Sequence, residues 1–316
     1  MSLNPAAAPL PVATPPRLGP VGANVICLLS MLVWAAGLPA ADLVIPHLPP
    51  LVLTALRCLL AGSVLVALWI ALEGPRAVIS APWRRGMMVG GVAIGLASVF
   101  IVTAQAATDA VTVAVVSATM PVIGITLECL LDGRKFTLRL ALGLLLSLAG
   151  GVMAFATGLG GLSLGLGAAA ALASVLAYTW GSRATVKSFP ELTPLGRSAI
   201  TVMGAAICAS VAALLHAALG APAPDWAAMG WREIGGLLGF SVGSLAISQL
   251  LWIIAVGSLG IGAASMHMNA VPFYVMLIVF LMNGPWNWAQ TAGAAVVVLG
   301  VIIAQSRPRV PHGPKK

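Results

Sequence analysis

The chain has 316 residues, of which 60% are hydrophobic and only 8% charged, and its mean hydropathy is +1.04. This excludes a water-soluble globule, because soluble domains carry about a quarter charged residues and far less apolar content. Lys plus Arg outnumber Asp plus Glu by 16 to 8, a net charge of +8. These cations stand in short groups between long apolar runs, without the clustered basic stripe that nucleic acid requires. Nucleic acid is therefore excluded as a partner, and a lipid bilayer is implied.

A bilayer-spanning helix needs about 20 predominantly apolar residues. In chain order the sequence predicts ten: 22–43, 51–72, 86–107, 110–131, 138–157, 163–182, 194–218, 234–256, 261–282 and 287–304. Residues 1–21, rich in Pro and Ala with Arg17 as their only Arg or Lys, read as a disordered cytoplasmic tail before an uncleaved first helix. Residues 305–316 read as a basic cytoplasmic tail. The joins at 107–110 and 256–261 leave no room for an extramembrane domain, so function is expected inside one helical bundle. With the N-terminus in the cytoplasm, 14 of the 16 Lys and Arg fall in cytoplasmic segments, leaving Arg57 and Arg232. That asymmetry orients the chain, with both termini cytoplasmic.

Cys27, Cys58, Cys129 and Cys208 lie in apolar runs without CxxC spacing and read as packing residues, not as a disulfide framework or a zinc site.

The chain also repeats internally. Pro121 in the fourth span and Pro272 in the ninth are each followed eleven residues later by a polar residue and Gly, Asp132-Gly133 and Asn283-Gly284. Gly143 and Gly150 in the fifth span match Gly293 and Gly300 in the tenth, and Trp34 in the first matches Trp180 in the sixth. The division is 22–157 and 163–304. A five-helix unit repeated once places its two copies in opposite orientations, the inverted-repeat plan of secondary transporters with a substrate site near the midplane.

These features resemble the drug/metabolite transporter superfamily and its EamA-type exporters. The resemblance rests on the ten spans in two fives, Ser30-x3-Trp34, Leu56-Arg57, and the Pro121 and Pro272 blocks. Where that family commonly has Gly-Glu after the fourth and ninth spans, this chain has Asp132-Gly133 and Asn283-Gly284. In this it is most similar to the bacterial aromatic amino acid exporters. The resemblance implies a multi-pass protein of the bacterial inner membrane that exports amino acids or related metabolites. It also implies a central cavity lined by spans 1, 3, 4, 6, 8 and 9.

Polar groups in hydrocarbon are costly and face the bundle interior. On that basis Gln249 of the eighth span and the group Met266, His267, Met268 and Asn269 of the ninth are expected at or near the cavity. His267 either binds substrate or bonds a neighbouring helix. Ser241, Ser244, Ser248 and Trp252 share one helical face, as do Ser174, Tyr178 and Ser182. Trp34, Tyr178, Trp180, Trp252, Tyr274 and Phe100 are candidates for an aromatic lining. Ser98 lies on the stripe of Gly91-x3-Gly95, which either packs closely or lines the route, with packing favoured.

Arg57 enters the second span from outside and either snorkels to the headgroups or serves as a gate charge or carboxylate contact. Pro121 and Pro272 would free the carbonyls of Ser117 and Met268 and form hinges beside the cavity. No carboxylate falls at the bilayer centre, so proton antiport through a buried acid is not expected.

Enzyme chemistry is not expected. His47, His216, His267 and His312 are scattered without HExxH spacing, and no metal, nucleotide or haem motif is present, so no cofactor is implied. The absence of charged rings argues against an ion-selective channel. The expectation is a secondary transporter for a small-molecule substrate working by alternating access. A passive pore and an exporter of other metabolites or drugs are the alternatives. The oligomeric state is open, with a monomer plausible.

Overall fold

The computed structural model describes residues 19–131, 133, 137–139, 141–143, 145–146, 149–150 and 162–305, and every element among them is helical. Residues 1–18 and 306–316 of the predicted tails, Asp132, and most of the fifth span lie outside the described residues, while Pro20, Val21 and Gln305 are helical. Among the described residues, seven helices are long and apolar enough to cross a membrane. These are Pro20–Asp42, Pro50–Glu73, Trp83–Ala107, Ala110–Leu131, Pro194–Ala218, Trp231–Leu259 and Ile261–Leu281, at the first to fourth and seventh to ninth predicted spans. Helices Leu162–Ser188 and Trp288–Gln305 lie at the sixth and tenth.

Most ends fall within about three residues of the sequence reading, because the apolar run and its punctuation coincide. Prolines occupy the first turns of Pro20–Asp42, Pro50–Glu73 and Pro194–Ala218, where no helical N–H is lost. The Asp109 carboxylate caps the fourth span by accepting from the Thr112 N–H at 2.8 Å. The eighth and ninth spans meet at Gly260, whose φ of +80° lets a single residue reverse the chain. The sixth helix runs six residues past its predicted end, to Ser188. The apolar window stops at Arg183, but cations are favourable at a helix C-terminus and do not end it.

Packing is helix on helix, with small residues at the crossings. The second span packs along the seventh, the first along the eighth, and the sixth along the third. The third and seventh spans approach backbone to backbone: a Cβ on Gly204 would lie 2.8 Å from the Gly86 carbonyl carbon, and one on Gly90 would overlap the Thr201 carbonyl. The favoured packing role of the Gly91-x3-Gly95 stripe matches this arrangement. At the fifth span, Gly150 faces Gly293 and Val297 of the tenth.

Contacts recur in the two halves at fixed offsets. The Ser30 hydroxyl donates to the Ser248 carbonyl, and the Ser174 hydroxyl to the Ala97 carbonyl, each at 2.8 Å. A Cβ on Gly37 would overlap Ser244, and one on Gly181 would overlap Ala93. The sixth span therefore repeats the first 144 residues later (Ser30 to Ser174, Gly37 to Gly181). The eighth repeats the third 151 residues later (Ala93 to Ser244, Ala97 to Ser248). Both the third and the eighth contain a π-helical stretch, Gly91–Leu96 and Gly239–Ile247. The fourth span breaks after Ser117, and the ninth passes through a 3-10 turn at Met266–Ala270.

These breaks revise the proline hinges. Pro121 is the second residue of the helix Met120–Leu131, and Pro272 the second of Val271–Leu281. Neither stands inside a continuous helix, since the chain leaves α-helical geometry just before each. The Met268 carbonyl is not freed, because it accepts the Val271 N–H.

Candidate functional site

A cavity lies at the centre of the bundle. Its walls come from the first span (Met31, Trp34), the second (Arg57), the third (Ile94, Ala97, Ser98, Ile101) and the fourth (Ser117, Met120). The sixth (Ser174, Val175, Tyr178), the eighth (Ser244, Leu245, Ser248, Gln249) and the ninth (Met268) complete them. Twelve of these residues form pairs at the offsets that govern the packing. Met31 with Val175 and Trp34 with Tyr178 are 144 apart. Ile94 with Leu245, Ala97 with Ser248, Ser98 with Gln249, and Ser117 with Met268 are 151 apart. Structurally Trp34 thus matches Tyr178, and the sequence pairing of Trp34 with Trp180 was two residues out of register.

Polar side chains brace the walls. The Tyr178 hydroxyl donates to Gln249 Oε1 at 2.6 Å, tying the sixth span to the eighth. Trp252 stands behind Tyr178, ring centroids 6.3 Å apart at 29°, and its Nε1 donates to the Ser182 hydroxyl at 3.0 Å. The Ser182 hydroxyl donates back to the Tyr178 carbonyl at 2.8 Å. The Ser244 hydroxyl reaches the Trp34 carbonyl at 3.3 Å. Near the C-terminal end of the first span, Gln105 Nε2 donates to the Leu38 carbonyl at 2.6 Å and to Asp42 Oδ1 at 2.7 Å, fastening the third span to the first. The open space at the centre is about 50 Å³. One water needs roughly 10–15 Å³ on this measure, so the walls as placed leave room for only a few waters.

Arg57 is 3% exposed and does not reach the surface. Its Nε donates to the Phe240 carbonyl at 3.2 Å, and its guanidinium carbon lies 3.9 Å from the centre of the Phe240 ring, a cation–π contact. The snorkelling alternative is thus not what the structure adopts.

Of the sequence candidates, the structure brings Trp34, Arg57, Ser98, Ser174, Tyr178, Ser244, Ser248, Gln249 and Met268 to the cavity wall. Trp252 is a buried support. Trp180 is 37% exposed, because two residues along a helix from Tyr178 is about 200° around it. Phe100 and Tyr274 do not line the cavity.

His267 and Asn269 lie in a separate crevice on the flank, with Asn24 and Leu28 of the first span and Val298 of the tenth. His267 Nδ1 sits 3.2 Å from the Ala264 carbonyl. The 3-10 turn Met266–Ala270 winds three residues per turn, so Met268 faces the cavity while its neighbours face away. His267→Ala is therefore expected to leave substrate affinity within about twofold of the parent, the usual scale for a side chain outside the machinery. A larger loss in a KM measurement would return it to the site.

Met31, Ile94, Ala97, Ile101, Met120, Val175 and Leu245 line the cavity without having been singled out by the sequence. They are apolar residues in apolar helices, and no sequence signal separates a cavity wall from a packed face or a lipid face.

Comparison with known proteins agrees with this architecture. No curated protein matches the chain. A crystal structure of a protein sharing 21% identity superposes with a TM-score of 0.66 over 90% of this chain and 96% of its own, a likeness of fold. Residues 22–156, the unit that ends with the fifth span, match the EamA-like transporter family.

Proposed function

We propose that the chain is, over its whole length, a secondary transporter of the EamA type. It exports amino acids, aromatic ones included, or related small metabolites across the bacterial inner membrane. In this reading ten spans form two inverted five-helix repeats with both termini cytoplasmic. Rocking of one repeat against the other exposes the cavity alternately to each side. The observation that carries the reading is the cavity itself, walled by residues at matching positions in the two halves. The family match over residues 22–156 supports the class, and the cytoplasmic bias of Lys and Arg supports the orientation. Aromatic substrates suit a wall with Trp34 on one half and Tyr178 on the other.

The test is uptake of labelled phenylalanine, tryptophan and threonine into liposomes containing the purified protein, with trans-stimulation by internal unlabelled substrate. Saturable, trans-stimulated uptake is the expected result. Uptake that rises linearly with concentration and ignores trans substrate would make the protein a pore. Uptake competed by no amino acid would remove the amino acid class.

A further inference from the structure

Every wall residue of the cavity except one is neutral, and the exception is Arg57. Guanidinium remains protonated at any physiological pH. Isolated charge in a bundle interior is expensive and is normally paired. Yet among the described residues no Asp or Glu lines the cavity and none forms an ion pair with Arg57. Its internal partners are the carbonyl and ring of one residue, Phe240. They hold Nε and one face of the guanidinium, and among the described residues neither Nη nitrogen donates a hydrogen bond to the protein. The charge also breaks the repeat. The seventh span, which corresponds to the second, has no charged residue from Thr201 to Cys208, the positions 144 to 151 residues after Arg57.

We propose that Arg57 is the anion-recognition point of the cavity, so that the site selects its substrate by a carboxylate and makes no charged contact to an ammonium. A planar guanidinium with two free nitrogens matches a carboxylate edge in bidentate geometry. Hydroxyls and the Gln249 amide are the polar groups left for the rest of the substrate, and they carry no charge to balance an ammonium. The favoured class is a small apolar organic acid. An amino acid is accepted through its carboxylate, and the amino group is dispensable. This rests on the transport reading of the cavity.

The experiment uses wild-type full-length protein in liposomes, with labelled phenylalanine and labelled 3-phenylpropionate as separate tracers. Unlabelled phenylalanine, 3-phenylpropionate and 2-phenylethylamine are the competitors. 3-Phenylpropionate is expected to compete within about threefold of phenylalanine and 2-phenylethylamine at least about tenfold more weakly, a gap equal to one charge-assisted hydrogen bond. Arg57→Gln should abolish the preference for acid over amine and Arg57→Lys should keep part of it, each checked for a monodisperse chromatographic peak.

The wild-type comparison needs no variant, so misfolding of a substituted chain does not blunt the test. Equal competition by the amine overturns the inference, as does a folded Arg57→Gln protein that still prefers the acid. Saturable uptake of 3-phenylpropionate without uptake of phenylalanine would end the amino acid reading and uphold this one. Uptake of neither tracer overturns both.

Discussion

Gly181→Val is expected to yield a protein that extracts poorly and, where it extracts, melts about 5 °C below the parent. A Cβ at Gly181 would overlap Ala93 and lie 2.7 Å from the Ala93 Cα. The obstacle is backbone inside a π-helical stretch of the third span, so no flexible side chain can move aside. Overpacking costs about 1–3 kcal/mol where neighbours relax, and about 3 kcal/mol corresponds to roughly 5 °C in a chain of this size. The matching crossing predicts the same for Gly37→Val, which meets Ser244. Gly257 has nothing within 4 Å of its hypothetical Cβ, so Gly257→Val is the control and should melt near the parent. Ala93→Gly in the Gly181→Val background should restore part of the loss. Size-exclusion profiles and thermal melts in detergent read all four. Equal melting of the Gly181 and Gly257 variants would show that the helices are not so closely crossed.

Trp34→Ala is expected to raise KM for phenylalanine by about thirtyfold in the liposome assay. Trp34 lines the cavity from one half and Tyr178 from the other. Truncating a buried aromatic anchor typically costs about 2 kcal/mol or more, which is close to thirtyfold. Trp34→Phe keeps an aromatic face and should lose no more than about threefold. Trp180→Ala, on the outward side of the sixth span, should stay within about twofold. A Trp180 variant as damaged as the Trp34 variant would place the substrate outside the cavity drawn here.

The contrast between Trp34 and Trp180 shows how far the site was legible. The sequence repeat matched them because both are tryptophans at similar depth, whereas the packing matches Trp34 with Tyr178. In a helix apolar on every side, a two-residue error in register changes the facing by more than half a turn, and hydrophobic periodicity supplies nothing to correct it. The π-helical stretches and the 3-10 turn add a second obscurity by shifting the phase of everything beyond them. Ser241, Ser244, Ser248 and Trp252 form one ideal helical face, but only Ser244 and Ser248 reach the cavity. His267 and Asn269 were placed by polarity alone. Polarity says that a side chain avoids lipid tails, not which of two interior spaces it takes.

What the sequence determined by itself is the set of helices: nine of the ten predicted segments coincide with helices among the described residues, seven of them long and apolar enough to cross a membrane, most with ends within a few positions. The reason is local. A backbone in hydrocarbon must satisfy its own hydrogen bonds, which demands a helix of about 20 apolar residues bounded by Pro, Gly or charge, and each requirement is written in contiguous residues. Only the tertiary structure decided which few side chains share the cavity, that Arg57 is buried against Phe240 instead of reaching the headgroups, and that Trp252 braces Tyr178 from behind. Those outcomes depend on where glycine crossings such as Gly37 on Ser244 and Gly181 on Ala93 let two helices meet. Such a meeting is a property of two segments far apart in the chain, and neither segment encodes it alone.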